Sequence, residues 1–263
     1  MSTATAPIRG YVSSARRPAF YLLTLALALF FVNAMRDPLS FGVLTFTPGH
    51  EFPTHRVHHV ALGSVFWLFL LGLLAQFYRP ADRVGWLQGA ILVFSILVVV
   101  VAIVSGVGEG AGLLIFIVPA IVIGLLHPAR DDLVPSLENR DVRLLGLAVV
   151  GAIPLAIFAT GQIDLQQTMT DDHAFFTHYA MMATAALFVG LAAIIGSLKS
   201  AGWRVLVYAS GVIVVLTGVM AIAFPGAEQG VNVGTPAAAV AVLWGLAFVG
   251  LAEYTERLDD TDA

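Results

Sequence analysis

The fold is decided by residues 84–105, which read VGWLQGAILVFSILVVVVAIVS and contain no charged residue. A helix needs about 20 apolar residues to cross the roughly 30 Å hydrocarbon core of a bilayer, and this run meets that requirement. The sequence therefore predicts an all-α integral membrane protein of about eight transmembrane helices, embedded in the lipid bilayer as a multi-pass protein of the cell membrane. The other seven apolar runs lie at 18–35, 57–78, 111–127, 143–160, 174–197, 203–224 and 236–253.

The composition of the whole chain agrees with this prediction. Of 263 residues, 59% are apolar and only 11% are charged, whereas a soluble domain carries about 25% charged residues. The absence of cysteine excludes disulfides, thiolate metal sites and iron–sulfur clusters. The net charge is −4 and the basic residues are scattered, so nucleic acid is not expected as a partner.

The distribution of basic residues predicts the orientation. With the N-terminus inside, every lysine and arginine except Arg36 and Arg56 falls on the cytoplasmic side, as the positive-inside rule requires. The first apolar run follows Arg16-Arg17 and could also be a signal peptide, but no clear cleavage site follows Ala34. We therefore predict that both termini are cytoplasmic.

An internal repeat is indicated by a shift of about 118 residues. This shift places Gly85-Trp86 on Gly202-Trp203 and Glu109 on Glu228. Two units of four crossings each have parallel topology, so an axis along the membrane normal relates them. The predicted organisation is a cytoplasmic N-terminal segment at 1–17, a first four-helix repeat at 18–128, a cytoplasmic linker at 129–142, a second four-helix repeat at 143–254 and an acidic C-terminal tail at 255–263.

Histidines are the main candidates for chemistry. His55, His58 and His59 share one face of the second predicted helix, since successive helical residues turn by about 100°. His173 and His178 occupy the equivalent region of the second half, where Asp171 or Asp172 can cap the sixth helix. We expect His59 and His178 to form an inner pair, with His55 and His173 above them.

The pattern suggests two cofactors. Imidazoles on facing helices hold haem iron, and sets of histidines and carboxylates hold copper or zinc. The sequence therefore predicts haem b or a transition metal on the outer side, between the two repeats, in a redox-type membrane protein. The expected cofactor-binding residues are His55, His59, His173 and His178, and the expected metal ligands are His55, His58, His59, His178, Glu109 and Glu228.

Other interpretations remain open at this point. Interfacial histidines can simply be solvated or can bond a loop carbonyl. A quinone-binding or scaffolding subunit of a larger membrane complex is one alternative, and a small-solute or metal-ion transporter is another. The helices carry no charged residue at mid-depth, which argues against transport. Nucleotide-binding and nucleophile motifs are lacking, so no enzymatic reaction is predicted.

The segment Glu51-Phe52-Pro53-Thr54-His55-Arg56 resembles part of the haem A synthase family. That family is an eight-helix protein of two four-helix halves, with a glutamate shortly before a His-Arg pair at a helix start. The resemblance implies haem ligation by histidine. Here the glutamate and the pair are separated by one extra residue, and the fourth helix of each half offers only His127 and Glu253 at the opposite end. The architecture also resembles the quinol-oxidising anchor subunits of respiratory complexes.

Overall fold

The computed structural model describes residues 6–48, 51–225 and 233–261, and within these ranges the regular structure is entirely helical. Four short 3-10 helices, at Pro53–His55, Ala75–Phe77, Pro80–Arg83 and Arg130–Leu133, extend or connect the longer elements. The α-helices are α1 (Ala6–Ala34), α2 (Arg36–Leu44), α3 (Arg56–Leu74), α4 (Val84–Ser105), α5 (Val107–Gly112), α6 (Leu114–Leu126), α7 (Val142–Thr168), α8 (Asp172–Phe175), α9 (His178–Gly196), α10 (Trp203–Ala223) and α11 (Gly234–Thr261).

Seven helical segments of the described chain are long and apolar enough to cross a membrane. The all-helical, multi-pass character predicted from the sequence is therefore confirmed. Large apolar side chains on α1, α7 and α11 are exposed, for example Leu29, Ile157 and Leu243, and a bilayer is a solvent that suits such surfaces. The segments are Arg16–Ala34, Pro53–Phe77, Pro80–Ser105, Val142–Thr168, His178–Gly196, Trp203–Ala223 and Gly234–Arg257.

The fourth predicted crossing, at 111–127, differs from the others. The 13 residues of α6 span only about 20 Å, and the predicted run begins inside the end of the separate short helix α5. Glycines favour these interruptions, because Gly106 ends α4 with φ +97 and Gly108, Gly110 and Gly112 lower the helix propensity of α5. α6 nonetheless returns the chain to the end where α1 begins, since the Arg16 side chain donates to the Leu126 carbonyl at 3.1 Å.

Two helices form the centre of the bundle. Of the residues in the most apolar part of each helix, 67% are buried in α3 and 78% in α9, but only 22% in α7 and 22% in α11. α3 and α9 pack against each other, α4 also contacts α9, and α10 also contacts α3. Because α3 and α9 begin at the same end of the molecule, their first turns face one another in the interior.

Glycines allow the helices to approach closely at several places, and two of these contacts lie at the two ends of the bundle. A Cβ placed on Gly85 would lie 2.0 Å from the carbonyl oxygen of Gly202, which itself has φ +74. A Cβ on Gly63 of α3 would lie 2.4 Å from the Cα of Gly42 in α2. The first contact joins the α4 and α10 ends away from the histidines, and the second holds α2 against the histidine end of α3.

Candidate metal site

Two short turns bring the histidines together. The 3-10 helix Pro53–His55 leads directly into α3, so that His55, His58 and His59 lie on its first turn. In the second half, Asp171 caps the four-residue helix α8 by accepting the Ala174 N–H at 2.9 Å. Thr177 then takes a left-handed conformation, with φ 58, and α9 begins at His178.

All five histidines are buried. Their exposed fractions are 8% for His55, 0% for His58, 3% for His59, 4% for His173 and 4% for His178. A buried polar side chain is costly unless it is bonded, and a buried charge is costlier still. The five imidazoles cannot all carry positive charge at such close range, and the neutral form is the one that binds a metal ion.

The ring positions define two overlapping triads. The ring centroids are 4.3 Å apart for His55–His173, 4.5 Å for His58–His173 and 5.3 Å for His59–His178. One triad is His55, His59 and His178, and the other is His58, His173 and His178. In each triad the candidate ligand nitrogens lie within 4.8 Å of one another. His178 belongs to both triads.

Several ring nitrogens lack a hydrogen-bond partner in the part of the chain that the structure describes. The buried atoms without a partner there are both ring nitrogens of His58, Nδ1 of His173 and Nδ1 of His178. Buried polar atoms are nearly always bonded, and an unbonded one destabilises the fold by about 1–3 kcal/mol. A bound cation would give a partner to the one lone pair that each neutral imidazole carries.

His173 also has the outer contacts that a metal-binding histidine needs. Its Nε2 lies 3.4 Å from the carbonyl oxygen of Thr54, and a ring N–H donated there leaves the Nδ1 lone pair for a metal. Nδ1 is 3.8 Å from the Asp171 carboxylate, which also accepts the Tyr179 hydroxyl at 2.8 Å. Burial opposes ionisation of Asp171, but its hydrogen bonds from Ala174 and Tyr179 outweigh burial and lower the pKa of the carboxyl below its usual value.

Aromatic rings cover the cluster. Phe41 of α2 stacks on His59 with centroids 4.9 Å apart and planes 12° apart. Phe52 lies over His55 at 6.0 Å, and Phe176 lies over His178 at 5.8 Å. This apolar cover excludes water from the imidazoles.

Arg56 holds the segment that carries part of this cover. Its side chain is 5% exposed and donates to the carbonyls of Thr45, Thr47 and Pro48. Its guanidinium also lies 4.7 Å from the ring centroid of Phe224. The loop after α2 is therefore fixed to the start of α3 and to the end of α10.

The predicted site residues do not all meet. His55, His58, His59, His173 and His178 lie together, and His58 is the most deeply buried of them. Glu109 is exposed in α5 and belongs to neither triad, while Glu228 lies outside the described residues. Sequence reasoning missed the roles of Tyr179, Phe41 and Arg56. The one available signal was Tyr179 beside His178, a polar aromatic residue at the start of an apolar run.

Comparison of this chain with protein-family models, with curated proteins and with solved structures finds no match. Its class therefore follows from the molecule itself. It is a helical protein with seven candidate membrane-spanning segments in its described residues, and a buried group of histidines there can hold a metal ion.

Proposed function

We propose that this protein resides in the cell membrane and binds a single copper or zinc ion through the histidine cluster at the outer ends of α3 and α9. The observation that carries the proposal is the pair of buried triads whose ring nitrogens include atoms without hydrogen-bond partners among the described residues. Imidazole suits both zinc and copper, and the chain has no thiolate to compete.

The packing of the cluster favours an ion over haem. The histidine rings contact each other directly, with several centroid separations between 4.3 and 5.9 Å. A porphyrin held between two imidazoles would have to separate α3 from α9 throughout this region. Cavities of about 490, 550 and 600 Å³ are present in the described structure, but histidines of the cluster line none of these three. An ion needs only small rotations of the rings.

The expected coordination follows from bond lengths. A zinc–nitrogen bond is about 2.0–2.1 Å, so two imidazole nitrogens on one tetrahedral ion lie roughly 3.3 Å apart. The nitrogens of each triad lie within 4.8 Å of one another, so binding requires them to close by up to about 1.5 Å. His178 belongs to both triads. Because it binds one metal ion through one ring nitrogen, the two triads cannot each hold an ion at the same time. Asp171, close to His173, supplies negative charge against the buried cation.

The proposal includes the predicted duplication and orientation. Residues that the predicted repeat pairs lie against each other at both ends of the bundle, namely Gly85 with Gly202 and His55 with His173, which supports this part of the proposal. Contacts between mates are expected near an axis along the membrane normal. With α5 and α6 together as a short fourth crossing, eight crossings keep both termini cytoplasmic, and the histidine end then faces outward.

The test is metal analysis of the full chain purified in mild detergent, stripped with a chelator and reloaded separately with Zn²⁺ and Cu²⁺. We expect one ion per chain. His178→Asn removes a ligand from both triads and should abolish stoichiometric binding, weakening affinity by at least about a hundredfold. His58→Asn and His59→Asn each damage one triad, so the one that loses binding identifies the occupied triad.

His127→Asn is the matched control, because His127 is also fully buried but lies at the opposite end, bonded to Gln76 at 3.1 Å. It should bind metal as the unaltered protein does. Thermal denaturation gives a second measurement if a variant folds poorly, since an ion at 100 times its Kd stabilises the native state by about 2.7 kcal/mol. Unchanged binding in His178→Asn would overturn the proposal, and a Soret band in the purified protein would replace the ion with haem. A protein with neither cofactor would leave the quinone-binding or scaffolding alternative.

A further inference from the structure

A second candidate site lies at the end of the bundle opposite the histidines. It is a cavity of about 490 Å³ between the start of α1, the loop after α3 and the end of α6. Three arginines, Arg16, Arg17 and Arg79, line it together with the single carboxylate of Asp82. Phe20, Tyr21 and Leu126 form its apolar part. The cavity is therefore cationic on one side and apolar on the other.

The fold holds two of these cations, Arg16 and Arg79, in place. Arg16 donates to the carbonyls of Leu125 and Leu126 at the end of α6 and to that of His127 just after it, where a cation is favoured by the helix end. Arg79 has a left-handed backbone, with φ 49, that turns the chain into Pro80, and its guanidinium lies 5.5 Å over the Tyr78 ring. The arginines thus come from two separate segments that meet through tertiary packing.

The chemistry of the cavity specifies its ligand. Guanidinium groups bind phosphate oxygens through paired N–H donors. With one carboxylate against three guanidiniums, the site favours an anion. Its apolar part accepts a hydrocarbon, and its place at the end of the membrane-like helices puts both parts at the bilayer surface. Basic pockets between transmembrane helices bind anionic lipid head groups in this way.

We propose that this cavity binds a phosphate-bearing anion, namely the phosphate of an anionic membrane lipid whose acyl chain lies along Tyr21 and Leu126. The inference does not depend on the metal site, which is at the other end of α3. A soluble phosphate ester presents the same charged group, so the experiment separates the two sources.

The test is native mass spectrometry of the full chain in mild detergent with phosphatidylglycerol or phosphatidylcholine added in equal amounts. We expect retained phosphatidylglycerol, with binding weakened about fivefold in each of Arg17→Gln and Arg79→Gln, since one surface cation contributes that much to anionic lipid binding. Arg140→Gln is the matched control, an exposed arginine at the same end of the bundle that is outside the cavity. It should bind lipid normally.

The two sources are distinguished by competition with glycerol phosphate and inorganic phosphate. If the soluble phosphates displace the lipid only at concentrations far above that of the lipid, the lipid is the ligand, because its acyl chain then adds affinity. Displacement at equal concentration would overturn the lipid assignment in favour of a soluble phosphate ester. Equal retention of both lipids, or equal binding in Arg79→Gln and Arg140→Gln, would overturn the site itself.

Discussion

Substitution of Gly63 by alanine tests the packing that covers the histidines. Gly63 is one turn beyond His59 in α3, and a Cβ there would lie 2.4 Å from the Cα of Gly42. Ordinary contact begins at 3.4 Å, so α2 must withdraw from α3 by about 1 Å or more. Overpacking of this kind destabilises a protein by about 1–3 kcal/mol.

A matched alanine substitution separates this steric effect from helix propensity. A Cβ placed on Gly161, in the interior of α7, would meet no atom of the described residues within 4 Å. Alanine at either position gains about 1 kcal/mol of helix propensity over glycine. The difference between Gly63→Ala and Gly161→Ala therefore reports the contact of α2 with α3 alone.

The assay is thermal denaturation in detergent, where about 2–4 °C corresponds to each kcal/mol for a chain of this size. We expect Gly161→Ala to melt at or above the temperature of the unaltered protein and Gly63→Ala to melt below it. Withdrawal of α2 also moves the Phe41 ring away from the His59 ring, whose centroid is now 4.9 Å from that of Phe41. Because the cluster then loses part of its cover, a chelator should extract bound Zn²⁺ faster from Gly63→Ala. Equal melting temperatures for the two variants would refute the close packing.

Three further outcomes are expected. Arg56→Met leaves the carbonyls of Thr45 and Thr47 without their charged donor, so amide exchange over residues 45–47 should lose protection equivalent to about 1–3 kcal/mol, with Arg56→Lys intermediate; unaltered exchange would contradict this role. Burial, aided by the charge of Arg16, lowers the pKa of His127 below the usual 6.5 of a histidine. The unfolded chain then binds more protons than the native state, so stability falls as the pH drops below about 6.5, and melting temperatures between pH 7 and pH 5 should fall less in His127→Gln; parallel profiles would argue against it. Asp141 accepts the N–H groups of Arg143 and Leu144 at the start of α7, so Asp141→Ala should cost about 1 kcal/mol in thermal denaturation while Asp141→Asn keeps much of the cap; an equal loss in both would assign the effect to the charge near Lys199 instead.

Much of the fold could be predicted from the sequence, because a bilayer imposes length and apolarity on each crossing independently of its neighbours. Residues 84–105 predict a helix without reference to any other part of the chain, and α4 occupies those residues. The fourth crossing was predicted as one helix over 111–127, but α6 begins only at Leu114, and the preceding residues form the separate short helix α5. Glycines at 106, 108, 110 and 112 lower the helix propensity of this segment, a property that a search for apolar runs does not measure.

The histidine positions on α3 also follow from the sequence, because the spacing of His55, His58 and His59 fixes them on one helical turn. Their meeting with His173 and His178 is decided only by tertiary structure, since it depends on α3 and α9 being the central pair of the bundle. The left-handed turn at Thr177, the close approach of Gly42 to Gly63 and the burial of Arg56 decide the rest. Sequence periodicity describes one helix at a time, whereas a metal site requires distances between helices, which only their packing sets.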